Sequence, residues 1–323
     1  MARAWGYWTR GKLDVLREYL TAFTTATNRS RERIYIDAFA GEADNRDRLT
    51  GEPIAGSARI ALSTDAPPFT RLRFFEVPGK APQLSAVLRS DYPDREFQVV
   101  GGDCNEEIPR VLNELKPLAW APTFAFIDPN GMEAQWRTLA ALAGFRAHQK
   151  TKVELFLLFA APMFGRLLRV DGASVREEDE SAIDEMYGCG DWRGVYRARL
   201  AGRISPSLAR DEYINLMRWR LENQLGYRWT HPLEIRNEGG SPIYYMIFAT
   251  DHKAGTRIMS SLYAKAAAEF PAMRAETRRE RRRRDETESG VQSLFGPDDD
   301  ALWAPIQRGE RFYEHEPPRA PRW

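Results

Sequence analysis

Acidic residues end four separate strand-like runs of the sequence, and carboxylates at such positions have a clear chemical use. The four are Asp37, Glu76, Asp103 and Asp128. A carboxylate accepts hydrogen bonds from ribose hydroxyls, amino groups and backbone amides, so a row of carboxylates suits a ligand rich in these donors. An acidic residue at a strand end can also simply cap the next helix or face solvent. Because the four occur at successive strand ends, we favour a nucleoside-binding site.

The first acidic residue opens the segment Asp37-Ala38-Phe39-Ala40-Gly41, in which we predict that Asp37, Phe39, Ala40 and Gly41 line a cofactor. Gly41 permits the backbone to turn closely past a ligand. Asp37 could fix this loop by accepting its amide hydrogens, or it could neutralise an ammonium group of the cofactor. The sequence leaves both roles open.

Two further strand ends are predicted to contact the same ligand. Glu76 can accept the two hydroxyls of a ribose, as acidic residues do in dinucleotide sites, and Asp103 with the backbone of Cys104 is placed to meet an adenine amino group. Gly41 is not part of a GxGxxG motif, and the sequence has no GxxxxGK[ST] motif. Without these phosphate cradles, NAD and ATP are disfavoured and a nucleoside lacking a diphosphate is expected.

The elements that position these residues alternate between strand and helix. Hydrophobic, β-branched and aromatic runs predict strands, and apolar residues three and four apart predict the helices between them. The strands are predicted at residues 33–39, 72–76, 97–100, 123–127 and 153–159. Such alternation predicts a mostly parallel sheet with helices on both faces, whose ligands bind at the carboxyl ends of the strands.

The second half of the chain changes pattern twice. Residues 163–228 have helical spacing and many charges, which predicts a helical insertion, and residues 233–236 and 243–250 predict two strands joined by a tight Gly-Gly hairpin. A closing hairpin is the usual last element of a class I methyltransferase sheet. We therefore predict an α/β, Rossmann-like class I methyltransferase fold over residues 1–270, with a seven-stranded sheet, S-adenosylmethionine as cofactor, and a basic helix and irregular tail over residues 271–323.

Several blocks of the sequence resemble, in order, those of the three-Cys-motif partner (TcmP) family. They are YIDAFAG, GSARIAL, FFE, GGDCN, FAFIDPNG, LFLLFAAP and YYMIFATDHKAGTRIM, and they cover roughly residues 10–265. The resemblance implies a methyltransferase-like fold and association with a radical-SAM-like protein that carries a three-cysteine motif. Two departures are Ala43 and Ala58, where relatives tend to have glycine and proline. Ala43 would restrict a left-handed turn that glycine permits.

The segment Asp128-Pro129-Asn130-Gly131 is similar to the motif that holds the target nitrogen in amino-methyltransferases. This similarity implies that Asp128 and the Pro129 carbonyl hydrogen-bond an exocyclic amine of a nucleic-acid base and orient its lone pair, with Asn130 as a further polar contact. The reaction would be methyl transfer from S-adenosylmethionine. A nuclease based on Asp128 and Glu133 would need a third ligand, which the sequence does not indicate.

The motif lacks the aromatic residue that usually stacks on an extracted base. Trp136 or Phe164 could replace it, although an aromatic residue beside a sheet more often belongs to the core. The alternative function is a catalytically silent, methyltransferase-like partner of the three-cysteine protein in a nucleic-acid modification or phage-defence system.

Composition and charge narrow the possible partners. The 323 residues include only two cysteines and four histidines, without metal-ligand spacing, so no metal site is expected. No apolar run approaches the roughly 20 residues of a membrane helix, and the start lacks a secretory signal, so we expect no membrane contact and a cytoplasmic location. The basic block from Arg278 to Arg284 predicts either DNA or RNA binding or a solvated helix end.

Overall fold

A seven-stranded sheet forms the centre of the computed structural model, which describes residues 4–47, 51–168, 175–289 and 315–322. The strands, in chain order, are β1 (Ala4–Trp5), β2 (Ile34–Asp37), β3 (Asp44–Asp47), β4 (Pro53–Ala55), β5 (Arg71–Glu76), β6 (Phe97–Gly101), β7 (Thr123–Ile127), β8 (Glu154–Phe159), β9 (Trp229–Arg236) and β10 (Pro242–Thr250).

The order of the strands in the large sheet is β6-β5-β2-β7-β8-β10-β9. The first five of these run parallel to one another, whereas β10 is antiparallel to both β8 and β9. The predicted Rossmann-like α/β fold, with a mostly parallel seven-stranded sheet and a C-terminal antiparallel hairpin, is confirmed. In this order β2 lies between β5 and β7. The strands of this sheet that follow β2 in the chain are added first on one side of it and then on the other, so the strand order reverses at β2.

Helices cover both faces of this sheet. The helices are α1 (Tyr7–Ala26), α2 (Ser57–Ser63), α3 (Ala81–Asp91), α4 (Cys104–Glu114), α5 (Trp136–Phe145), α6 (Phe164–Leu167), α7 (Glu177–Tyr187), α8 (Trp192–Leu200), α9 (Pro206–Asn223) and α10 (Lys253–Ser289), with short 3-10 turns at Lys116–Leu118 and Ala161–Met163.

The two faces have separate hydrophobic cores because side chains alternate along each strand. Ile34 and Ile36 of β2 contribute to the core under α4, α5 and the insertion, while Tyr35 contributes to the core under α1, α2, α3 and α10. Every residue of the central strands β7 and β8 is buried. Such continuous burial is typical of parallel strands covered on both sides.

The predicted insertion is helical. Helices α7, α8 and α9 pack through buried side chains onto the core that also holds α4 and α5. Residues 169–174, between α6 and α7, lie outside the described part of the chain.

The segment from Glu42 to Gly56 forms strands that the sequence analysis did not predict. It contains β3 and β4, which pair antiparallel, and β1 pairs parallel with β3 to form a second, three-stranded sheet. The strands are short and only β3 is wholly polar, so they lack the alternating hydrophobic pattern by which a strand is recognised. The pairing of β3 with β1, which precedes α1, joins residues that are distant in sequence.

The last helix, α10, continues through the basic block as far as Ser289. Residues 290–314 of the predicted irregular tail lie outside the described residues, and residues 315–322 form neither helix nor strand. None of the helices in the described ranges combines the length and the apolar character needed to cross a membrane.

Candidate functional site

The carboxyl ends of four neighbouring parallel strands bring the predicted acidic residues to one edge of the sheet. Asp37 ends β2, Glu76 ends β5, Asp103 follows β6, and Asp128 follows β7. Because β2 lies between β5 and β7, Asp37 occupies the middle of this edge. The predicted residues therefore do share one region of the molecule, which we call the strand-end site.

Asp37 is fully buried and holds its own loop in place. Its carboxylate accepts hydrogen bonds from the Tyr35 hydroxyl at 3.2 Å and the Phe39 amide at 3.4 Å. The pKa of Asp37 is raised to about 7, chiefly by burial and also by the nearby Asp128, while hydrogen bonds from Ser57, Tyr35 and Phe39 oppose the shift. Of the two roles left open by the sequence, this geometry favours loop fixation.

Gly41 makes the turn that the sequence assigned to it. Its φ is +66°, and an added Cβ would meet nothing within 4 Å, so the loop leaves open space beside this residue. Ala43 does not adopt a left-handed conformation, since the described residues with positive φ are all glycines. Ala40 is buried and donates its amide to the Phe75 carbonyl at 2.9 Å, which ties the loop to β5.

Glu76 joins two strand ends through its carboxylate. One oxygen accepts from the Gly41 amide at 2.7 Å and the other from the Val77 amide at 2.9 Å. An ionised carboxylate has about four acceptor positions, so these bonds leave capacity for ligand hydroxyls. Glu76 is half-buried.

Asp103 is the N-cap of α4. Its Oδ1 accepts from the backbone amide and the side-chain amide of Asn105, each at 2.9 Å. Asp103 itself is exposed, and Cys104 behind it is buried, which raises the pKa of the thiol to about 12. A thiol with such a raised pKa does not act as a nucleophile at neutral pH.

Asn105 was missed by the sequence analysis and connects two strand ends. Its side-chain amide donates to the Glu133 carbonyl at 2.8 Å, and its oxygen accepts from the Gln135 amide at 3.0 Å and the Thr138 hydroxyl at 2.7 Å. The only signal in the sequence was the position of this asparagine, two residues after Asp103 at the start of a predicted helix. Its contacts fix the segment after β7 against α4.

The segment from Asp128 to Gly131 crosses the strand-end site after β7. Asp128 and Pro129 are half-buried, Asn130 is exposed, and Gly131 is buried. The Gly131 amide donates to the Glu133 carboxylate at 2.6 Å. Glu133 thus supports its own loop, and no group of three or more His, Cys, Asp or Glu residues in the described ranges could hold a metal.

A lysine from the N-terminal helix reaches Asp128. The Lys12 ammonium forms a close ion pair with Asp128 Oδ2, and the Lys12 side chain is only 9% exposed. The sequence analysis did not single out Lys12. The signal was present, because Lys12 follows the helical spacing of the buried residues Leu16, Tyr19 and Phe23 and so places a charge on the buried face of α1.

Two tyrosines, Tyr35 and Tyr244, lie near Asp128. Burial, assisted by Asp128, raises the pKa values of Tyr35 and Tyr244 well above the usual value, so both stay neutral. The Lys12 ammonium lies 6.0 Å from the centre of the Tyr244 ring. Lys12 therefore places a positive charge between Asp128 and the neutral Tyr244 ring.

The two aromatic residues proposed to stack on a base have other contacts. Phe164 is 1% exposed and packs against Phe159, Tyr187 and Tyr213, so it belongs to the core and cannot stack on a base in this conformation. Trp136 is half-buried, with the Arg220 guanidinium 4.4 Å from its ring centre. Arg220 thus covers one face of the Trp136 ring.

A cavity of about 270 Å³ lies elsewhere, between α1, α2 and the segment that follows α2. Arg17, Arg59 and Tyr92 are among its lining residues, and none of the strand-end residues is. Arg59 already pairs with Asp44 and Asp91 at 2.8 and 2.7 Å. The cavity is therefore separate from the site that the sequence predicted.

Comparisons with known proteins found similarity to solved structures but not to known sequences. No protein-family model and no curated protein matches the sequence. A solved structure, protein LPL1258 from Legionella pneumophila strain Philadelphia 1, described under the family model DUF519, matches with a TM-score of 0.47 and 10% sequence identity. The match covers 79% of this chain and 91% of that one.

Proposed function

We propose that the protein binds S-adenosylmethionine at the strand-end site and transfers a methyl group to an exocyclic amino group of a nucleic-acid base. The observation that carries the proposal is the convergence of the Asp37 loop, Glu76, Asp103 and Asp128 on one edge of a sheet that ends in an antiparallel hairpin. Ligands of such sheets bind at this edge, where the strand order reverses.

The residues at the edge fit a nucleoside cofactor. Gly41 turns with open space beside it, Glu76 has acceptor capacity for ribose hydroxyls, and the exposed Asp103 can accept from an adenine amino group. The loop offers no row of glycine amides for a diphosphate. When bound, S-adenosylmethionine supplies an electrophilic methyl group.

Asp128 and Pro129 would hold the amine that receives the methyl group. The Lys12 ammonium on Asp128 supports this role, because it demonstrates that a nitrogen donor can reach the carboxylate within the fold. An incoming amine would share the carboxylate with Lys12 or displace it. Asp128 and the Pro129 carbonyl would then orient the nitrogen lone pair, and the proton released from nitrogen would pass to solvent or to a carboxylate.

The basic end of α10 supports a nucleic-acid substrate by its location. Tyr245 of β10 is opposite Phe159, the last residue of β8, so the β9–β10 hairpin extends past the same edge as Asp128. Arg281 contacts Glu238 of this hairpin at 3.2 Å. The 37-residue helix α10 is about 55 Å long at 1.5 Å per residue, and it brings Arg281 of the basic block to this hairpin, where the block would contact phosphates of a bound nucleic acid.

Methyl transfer is tested by incubating the full chain with radiolabelled S-adenosylmethionine and single-stranded and double-stranded DNA and RNA. We expect label in one nucleic-acid class, and a loss of about 100-fold or more in the Asp128→Ala variant because positioning is lost. Asp94→Asn, before β6 at the opposite edge, is the matched control. Equal transfer by wild type and Asp128→Ala, both folded by circular dichroism, would exclude the proposed role.

A second function is favoured by the same ion pair. If Lys12 permanently occupies Asp128, the site cannot accept a target amine, and the protein would act as a methyltransferase-like partner of a radical-SAM-type three-cysteine protein. This alternative predicts that the wild-type chain binds the cofactor but transfers no methyl group to any nucleic acid. Transfer that increases in Lys12→Ala would instead support the methyltransferase and identify Lys12 as a competitor of the substrate.

A further inference from the structure

The last described segment of the chain lies in an extended course along one face of α9. Its residues 315–322 read HEPPRAPR. The α9 residues that contact it are spaced three or four apart and so share one helix face. They are Glu212, Asn215, Arg218 and Glu222.

Two of these contacts are made to the backbone of the segment by one side chain. The Asn215 amide donates to the Arg319 carbonyl at 2.8 Å, and the Arg319 amide donates to the Asn215 oxygen at 2.8 Å. The Asn215 side chain therefore satisfies both backbone hydrogen-bonding groups of Arg319. A neighbouring β-strand would satisfy the backbone of an extended peptide in the same way. Arg218 adds a third backbone contact by donating to the Glu316 carbonyl at 2.6 Å.

Side chains of the segment are recognised at both ends of the same face. His315 lies 2.8 Å from the Glu222 carboxylate, and the Arg319 guanidinium lies 3.1 Å from that of Glu212. Glu212 is only 5% exposed in this arrangement. A histidine and an arginine four residues apart therefore meet two carboxylates that are ten positions apart on the helix.

The face is held in shape by contacts that do not involve the segment. Arg218 donates to the Thr230 hydroxyl and carbonyl, each at 3.0 Å, and Glu222 accepts from the Thr230 amide at 2.9 Å. Arg218 is 9% exposed and Thr230 is fully buried. These bonds to β9 orient the recognising groups before any peptide arrives, which lowers the entropy lost on binding.

The segment is suited to reversible binding. Pro317 and Pro318 favour an extended polyproline conformation and so lose little freedom when they dock. Glu316, Pro317 and Arg319 remain exposed while they are docked. The contacts are polar and lie at the surface, unlike the hydrophobic packing of a permanent core element.

We propose that this face of α9 is a binding site for an extended, proline-containing peptide with histidine and arginine four residues apart, and that residues 315–322 are its reversibly bound, resident ligand. The proposal is independent of the strand-end site and of its chemistry.

The test uses the full chain with a protease recognition sequence inserted among residues 290–314, cleaved after the protein has folded. Cleavage is needed because an attached peptide outcompetes a free one through its high local concentration. Retention of the fragment is measured by size exclusion and mass spectrometry over a range of protein concentrations. The synthetic peptide HEPPRAPR, residues 315–322, serves as competitor.

We expect the cleaved fragment to remain bound at high concentration, to dissociate on dilution, and to be displaced by excess peptide. Asn215→Ala should raise its Kd about tenfold or more, because two hydrogen bonds are lost. Asn223→Ala, whose side chain bonds Trp219 within α9, should leave the Kd unchanged. A fragment that no excess of peptide displaces, or one that is lost at every concentration, would overturn the proposal.

Discussion

At the scale of single residues, three charges determine the chemistry of the strand-end site. Asp37 is buried in the centre of the sheet edge, Asp128 lies beside it, and Lys12 from α1 pairs with Asp128. Burial and the second carboxylate both favour the neutral form of Asp37. The titration of Asp37 should therefore make the stability of the protein depend on pH. The Lys12–Asp128 ion pair should also contribute to that stability.

Asp37→Asn should remove a pH dependence of stability between about pH 4 and 7. The pKa of Asp37 is about 7 in the folded protein and lies near 4 when unfolded, so the folded state binds more protons in this window. The free energy of unfolding of wild type should thus fall as pH rises from 4 to 7, by roughly 1–4 kcal/mol from this group.

Urea denaturation at pH 5 and pH 8 measures this effect. Relative to wild type, Asp37→Asn should gain stability at pH 8, since asparagine stays neutral and its side-chain oxygen can still accept from the Phe39 amide. Asp94→Asn, at the exposed surface, is the control and should keep the wild-type slope. An unchanged slope in Asp37→Asn would mean that Asp37 is ionised throughout the range.

The Lys12–Asp128 pair should show strong energetic coupling. A double-mutant cycle with Lys12→Ala and Asp128→Ala is expected to give about 1–3 kcal/mol, because removing either partner leaves a poorly solvated charge. The exposed pair Arg17–Asp14, 2.9 Å apart within α1, should give at most about 0.5 kcal/mol. Equal coupling in the two pairs would show that Lys12 is solvated.

At the scale of elements, the site depends on loops that are held by other parts of the chain. The Gly56 amide donates to the Ala43 carbonyl at 2.8 Å, which brings the start of α2 against the loop after β2. An added Cβ at Gly56 would lie 2.5 Å from the Glu42 carbonyl oxygen. Backbone atoms cannot yield as a flexible side chain can, so this approach requires glycine.

Gly56→Ala should destabilise the protein by about 1–3 kcal/mol, because the added methyl group forces the two backbone segments apart. Gly144→Ala, in α5, is the matched control. An added Cβ there meets nothing within 4 Å, so alanine should be neutral or should stabilise by up to about 1 kcal/mol. Thermal or urea unfolding measures both, and equal values would contradict the account of Gly56.

The sequence predicted the elements of the large sheet because their hydrophobic runs are long and periodic. The predicted bounds of β7, at residues 123–127, agree with the structure at both ends. The short strands β3 and β4 were missed, since they have no hydrophobic alternation and β3 pairs with β1, which is distant in sequence. The same limit hid Lys12, whose partner Asp128 is 116 residues away.

At the scale of the whole molecule, the sheet collects residues that lie far apart in the chain. Strand ends alone sufficed to predict that Asp37, Glu76, Asp103 and Asp128 share an edge, because parallel strands all end on one side. The role of each residue at this edge could be inferred only from the side-chain contacts in the structure. Asp103 caps α4 and Glu76 bridges two loops, so each supports the fold at the position where it would meet a ligand.

The central claim is that this edge holds S-adenosylmethionine, and the most direct measurement is calorimetric titration of the full chain with that compound. We predict binding of one molecule per chain, weakened about tenfold or more in Glu76→Ala, which loses ribose acceptors and the Gly41 contact. Asp94→Asn, at the opposite edge, should bind as wild type does. Absence of binding at millimolar ligand, by protein whose circular dichroism spectrum shows it is folded, would contradict the account.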